Sequence, residues 1–163
     1  MDKKDTAYVL WFDQLHRDDV DLVGGKSSSL GELTSETNVP VPYGFATTAA
    51  GYRHFMAYSD LNKKINDLLA TLKDPENSDE LHRVCSQIRK IIVDAPMPDD
   101  LVQAIGEAYD ALASKMRQNE PFVAVRSSAT AEDLPNASFA GEQDTYLNVH
   151  GRKQVIKKVQ ECY

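Results

Sequence analysis

The sequence predicts an α+β domain, on three observations: short apolar runs near both ends, a helix-patterned middle, and a length that suits one unit. Tyr8-Val9-Leu10-Trp11-Phe12 and Phe122-Val123-Ala124-Val125 are compact apolar runs of strand length, and Thr145-Tyr146-Leu147-Asn148-Val149 alternates as a strand does. Between them, apolar residues recur every three or four positions. The 163 residues match one domain, since domains commonly run to roughly 100–200 residues, and they can bury a core without a disulfide or metal staple. A hydrophobic fraction of 42% with 26% charged residues fits a soluble globular chain and excludes a disordered or fibrous one.

In chain order, Tyr8–Phe12 is the first strand, and polar residues follow it as far as Asp21. Leu22-Val23-Gly24-Gly25-Lys26 then leads into a helix over about 26–36, on which Leu30 and Leu33 share a face. Val39-Pro40-Val41-Pro42 is held extended, because proline restricts itself and the residue before it. Phe45-Ala46-Thr47 is a second strand, and Thr48 is placed to cap a helix through Tyr52, Phe55 and Met56. Leu61, Ile65, Leu68, Leu69 and Leu72 mark the next helix, which Asp74-Pro75-Glu76-Asn77 breaks. A further stripe runs from Leu81 to Ile92 with Ser78 as its cap. The next helix opens near Pro98, in its first turn, and carries Leu101, Ile105, Ala108 and Leu112. The helices over about 49–116 form an inserted bundle with a packing role. Phe122–Val125 is a buried strand ending in Arg126. After the loop Ser127–Gln143 and the strand from Thr145, Val155, Ile156, Val159 and Cys162 form a last helical stripe. It meets no glycine or proline stop, as in a truncated helix.

Composition narrows the chemistry. A net charge of -7 argues against a general nucleic-acid surface, yet two or three placed cations suffice for a nucleotide. Cys85 and Cys162 are far apart and outside any metal-ligand spacing, and are expected as buried or half-buried thiols in a reducing compartment. The charged start Met1-Asp2-Lys3-Lys4-Asp5 precedes no signal-peptide run, and no segment has the apolar length of a membrane span. The expectation is a cytoplasmic protein that binds neither nucleic acid nor membrane.

Three segments could hold phosphate. Gly24-Gly25-Lys26 permits close backbone approach, opens a helix with unpaired N–H groups, and adds a positive charge. It matches the tail of a P-loop at Gly25-Lys26-Ser27, but Val20 stands where the first glycine is required. The alternative is a glycine turn with a solvated lysine. Arg126 ends a strand, and its planar fork suits bidentate phosphate contact, with Ser127 and Ser128 beside it. The alternative is an ion pair with Glu132 or Asp133. Ser138 to Thr145, with Gly141 at its centre, could fold over a polyphosphate, and Thr145 could add a hydroxyl. Taken alone, that segment reads better as an exposed hairpin connection. His16, His54, His82 and His150 lie in unrelated contexts and are assigned to surface or helix faces. Asp99-Asp100 is a helix first turn, not a metal pair.

Together these segments resemble the N-terminal nucleotide-binding domain shared by phosphoenolpyruvate synthase, pyruvate phosphate dikinase and rifampicin phosphotransferase. The matching stretches are Val23–Lys26 with Ser29–Glu32, Val39–Thr48, and the run Val123–Asn148, V-A-V-R-S-S-A-T-A-E-D-L-P-N-A-S-F-A-G-E-Q-D-T-Y-L-N. The resemblance implies an ATP-grasp fold, with triphosphate contacts at Lys26 and Arg126. It also implies a phosphate-covering loop at Gly141 through Thr145, with Tyr146 beside it. The Ser-Ser-Ala-Thr-Ala-Glu-Asp-Leu-Pro run looks like the synthase or the rifampicin enzyme, and lacks the Met-Pro-Gly-Met-Met type of segment found in the dikinases. The implied reaction passes phosphates from ATP to a histidine on a swivelling domain. In the synthase the histidine passes its phosphate to pyruvate, releasing AMP and phosphate; in the rifampicin enzyme the acceptor is an antibiotic hydroxyl. The Mg²⁺ ligands, adenine segment, phosphohistidine domain and pyruvate-binding barrel are expected beyond Tyr163. On this reading the chain by itself is inactive and binds ATP weakly or not at all. A non-catalytic binding module is the remaining alternative.

Overall fold

The computed structural model describes residues 3–37, 39–130 and 144–163. Two separate antiparallel strand pairs flank a run of helices. After a short helix α1 (Lys3–Thr6), β1 (Val9–Trp11) pairs with β2 (Phe45–Thr47), register Leu10↔Ala46. Between them lie two 3₁₀ turns, the short α2 (Val20–Val23) and α3 (Gly25–Glu36). The helical middle comprises α4 (Ala49–Tyr58), α5 (Leu61–Leu69), α6 (Ser78–Asp94) and α7 (Asp99–Met116). Then β3 (Val123–Arg126) pairs with β4 (Thr145–Val149), and α8 (Arg152–Glu161) follows.

The apolar stripes seen in the sequence build the main core, where Phe55, Leu61, Leu101, Ile105, Tyr109, Val149, Val155 and Val159 are buried together. A smaller cluster of Leu10, Leu15, Val23 and Ala46 sits beneath the first strand pair. Burying side chains of this size contributes roughly 1.5–3 kcal/mol each, which makes the bundle the main source of stability. Tyr109 ties three elements together. Its hydroxyl donates to the Pro121 carbonyl (2.8 Å), just before β3, and accepts from the Gly151 N–H (2.8 Å), just before α8. On α8, the Gln160 side-chain amide donates to the Ile92, Val93 and Ala95 carbonyls, satisfying the frayed end of α6.

Several expectations need correction. Helix α3 does not bury a leucine face: Leu33 is exposed, and the buried positions are Gly25, Ser27, Ser28 and Gly31. The small face wins because the helix lies almost against the backbone of Leu15. A Cβ on Gly31 would stand 2.3 Å from Leu15 Cβ. Asn77, not Ser78, caps α6. The Asn77 Oδ1 accepts from the Asp79 and Glu80 N–H groups, both at 3.1 Å, while Ser78 is already helical. Pro98 precedes α7 rather than sitting in its first turn. Thr48 does cap α4, its Oγ1 accepting from the Gly51 N–H at 3.2 Å. Cys85 is exposed, and only Cys162 is half-buried. No helix among the described residues is long and apolar enough to cross a membrane.

The Asn77 cap gives a first prediction. Asn77→Ala removes acceptors for two N–H groups, so it should cost about 1 kcal/mol. A melting curve should fall by about 2–4 °C. Ser78→Ala should leave the melting temperature in place.

Candidate functional site

Lys26 and Arg126 meet at one cleft through a contact that spans the chain. Helix α3 begins at Gly25, directly after Gly24, whose backbone (φ 80°, ψ 167°) lies where essentially only glycine is found. The segment following Arg126 packs against this helix start. The Gly25 N–H donates to the Ala129 carbonyl (3.2 Å), and the Ser27 N–H donates to Ser128 Oγ (3.1 Å). Ser128 therefore supplies the cap that Gly24, without a side chain, cannot. This corrects the expectation that the helix opens with unpaired N–H groups: those of Gly25 and Ser27 are occupied by protein. The helix dipole still favours an anion near this start.

The cleft so formed has a volume of about 1190 Å³. Lys26 and Ser27 line it from α3, and Arg126 through Thr130 from β3 and the segment after it. Strand β3 is not a buried strand, since Ala124 and Arg126 are exposed while Val123 and Val125 are half-buried. The guanidinium of Arg126 is thus held on a one-sided sheet, open to a ligand. In register, Arg126 pairs with Thr145 and Val125 with Tyr146. Directly paired residues share a face, so Thr145 stands beside Arg126 and Tyr146 points to the opposite face. There Lys158 Nζ lies 4.2 Å from the centre of the Tyr146 ring. The structure therefore brings Lys26 and Arg126 to one cleft wall, pairs Thr145 with Arg126 outside the cleft lining, and sets Tyr146 apart. Gly141, Glu132 and Asp133 lie outside the described residues.

Strand β4 carries a bulge that the sequence pattern hid. The pairs Val123↔Val149 and Val125↔Tyr146 leave one extra residue on β4, and Asn148 takes a positive φ of 56° there. The bulge exposes Leu147 and Asn148 in succession, yet Tyr146 and Val149 still face the protein.

Near α8 the cleft wall is less cationic. Burial, with Asp144 and Glu161 nearby, pushes the Cys162 thiol up to about 11. Burial, then Asp144, pushes the Tyr146 hydroxyl up to about 12. Both groups stay protonated at neutral pH, so neither supplies a nucleophile or base. The histidines fit their surface assignment. His54 stacks on Tyr8 (5.1 Å between centroids), and its Nε2 lies 3.0 Å from Asp100 Oδ1. That contact holds the Asp100 carboxyl below its ordinary range.

A glycine-opened helix with a lysine and an exposed strand-end arginine lining one cleft could hold a phosphate group. Residues 20–163 match the family model described as pyruvate phosphate dikinase, AMP/ATP-binding domain, and the chain belongs to that family. Among curated relatives, it is 49% identical to a probable phosphoenolpyruvate synthase of Methanocaldococcus jannaschii, over 96% of this chain and 13% of the relative. It is 48% identical to a phosphoenolpyruvate synthase of Synechocystis, over 98% of this chain and 20% of the relative. A third, from Neisseria meningitidis, is 49% identical over 96% of this chain and 20% of the relative. The chain thus spans about a fifth or less of the length of these relatives.

Proposed function

We propose that this chain is one lobe of an ATP-grasp-like nucleotide-binding domain in a phosphoenolpyruvate synthase, with the helices over about 49–116 as its insertion. The observation that carries this reading is the shared cleft of Lys26 and Arg126, fixed by the Ser27–Ser128 hydrogen bond. In this reading the two cations lie along the polyphosphate of ATP. Negative charge on the transferring phosphates is neutralised by groups already in place, which is how proteins mainly accelerate phosphoryl transfer. Thr145 adds a hydroxyl next to Arg126, and Gly141 and Tyr146 are further cofactor-binding residues of the same reading. The names of the matched relatives favour the synthase over the rifampicin enzyme. In the whole protein, a swivelling domain would present the histidine that takes up the phosphates and passes one to pyruvate. Among the described residues no three His, Cys, Asp or Glu side chains cluster to hold a metal. In this reading the Mg²⁺ ligands lie beyond Tyr163. A cytoplasmic location is part of the same reading.

Arg126 stands exposed at the cleft, so this chain should bind Mg-ATP weakly, with a dissociation constant of about 1 mM. An amide-resolved NMR titration should show shifts concentrated at 24–29 and 126–130, reduced in Lys26→Ala and Arg126→Ala. Calorimetry giving micromolar affinity that disappears in Lys26→Ala would overturn the weak-binding statement. Shifts confined to the outer faces of α5 and α6 would overturn the site.

A further inference from the structure

The cleft has a second cationic side that the middle helices provide. Besides Lys26 and Arg126, Arg53 of α4 and Arg89 of α6 line it. Of the arginines outside the cleft, Arg17 faces Glu32, Arg83 faces Glu80 and Arg152 faces Asp110, while Arg117 faces no carboxylate among the described residues. Arg53, Arg89 and Arg126 face none among the described residues. Unpaired guanidinium groups gathered at one concave surface repel each other, and this chain has a net charge of -7 with carboxylates to spare. What distinguishes Arg53, Arg89 and Arg126 is their place in the lining of one cleft.

We propose that Arg53 and Arg89 form a second contact set for the anionic part of the ligand, opposite Lys26 and Arg126, so that the helical insertion is a binding wall and not only packing. The proposal rests on the phosphate-binding reading of the cleft. A linear polyphosphate is the chemistry that suits it, because its charge is spread along a chain and can meet cations from both sides. A planar guanidinium offers paired donors to phosphate oxygens, where a lysine would offer a point charge. Adenosine alone, without phosphate, would gain nothing from this pair.

The test is an NMR titration of the whole 163-residue chain with inorganic tripolyphosphate, comparing Arg53→Gln, Arg89→Gln and the double variant with Arg83→Gln. All three arginines are exposed, and a retained amide spectrum verifies folding. Each single variant in the cleft should weaken tripolyphosphate about fivefold to tenfold, as expected for losing a charge-assisted hydrogen bond at an open site. Arg83→Gln should leave affinity unchanged, and adenosine should bind the variants as it binds the parent chain. If Lys26→Ala and Arg126→Ala weaken tripolyphosphate while Arg53→Gln and Arg89→Gln do not, the second contact set is refuted and the first stands. If none of the four changes the affinity, the phosphate-binding reading falls and this inference falls with it.

Discussion

Gly24→Ala should unfold much of the site and cost at least about 3 kcal/mol. Two effects add. The backbone of Gly24 lies in a region that costs a residue with a Cβ about 1–3 kcal/mol. The new Cβ would also stand 2.3 Å from the Ser128 carbonyl oxygen, 2.4 Å from its carbon and 2.5 Å from its Oγ. Two of these three atoms are backbone, so no rotamer change relieves the clash. The segment after Arg126 must then move away, and with it go the Ala129 and Ser128 acceptors that finish the start of α3. Urea unfolding should show a clear drop in midpoint, and phosphate-dependent shifts at Lys26 should vanish. Ser128→Ala is the control, because it removes one hydrogen bond and no backbone contact. It should cost about 1 kcal/mol. The double variant should remain nearly as unstable as Gly24→Ala, since the carbonyl clash persists. A double variant restored to the stability of Ser128→Ala would show that the hydroxyl, and not the backbone, sets the close approach.

Tyr109→Phe should be the most damaging change that leaves the shape of the core intact. Only the hydroxyl is lost, so no cavity opens. That hydroxyl serves the Pro121 carbonyl and the Gly151 N–H at once, from a residue 2% exposed. An unsatisfied buried polar group costs about 1–3 kcal/mol, so the loss for the two together should reach about 2–4 kcal/mol. The expected signature is a lower urea midpoint with an unchanged slope, since the surface exposed on unfolding is the same. Amide exchange should quicken at Gly151 and along β3 before it quickens in α7. A loss under about 0.5 kcal/mol would mean that water replaces the hydroxyl at both partners.

Much of this architecture can be read from residues alone, and the failures share a cause. The strands at Tyr8–Phe12, Phe45–Thr47 and Thr145–Val149 and the helix after Gly24 are legible because periodicity and glycine placement are local signals. The apolar stripes of α6 and α7 are legible for the same reason. The buried face of α3 is not, because which side of a helix faces inward depends on what lies opposite, and Leu15 leaves no room for a Cβ at Gly31. The exposure of Arg126 escapes a one-strand reading as well. Val-Ala-Val is apolar whether one face of the sheet is covered or both. Asn77 and Ser78 are equally good caps on paper; an extended backbone at Asn77 decides between them. At the site, Lys26 and Arg126 are legible as separate candidates. Their sharing of one cleft is not, and neither is the place of Arg53 and Arg89 in its lining, because helical arginines in a plain amphipathic stretch look like ordinary solvated charge.

The Ser128 cap on α3 also sets an order of events during synthesis. The two residues it joins are 101 positions apart. At ribosomal rates of about 5–20 residues per second, the helix start waits on the order of 5–20 s for its acceptor to be made. Through that interval α3 lacks its tertiary cap, although Leu15, against which Gly31 packs, has already been made. The cleft lined by Lys26 and Arg126 can therefore close only after Ser128 has been made.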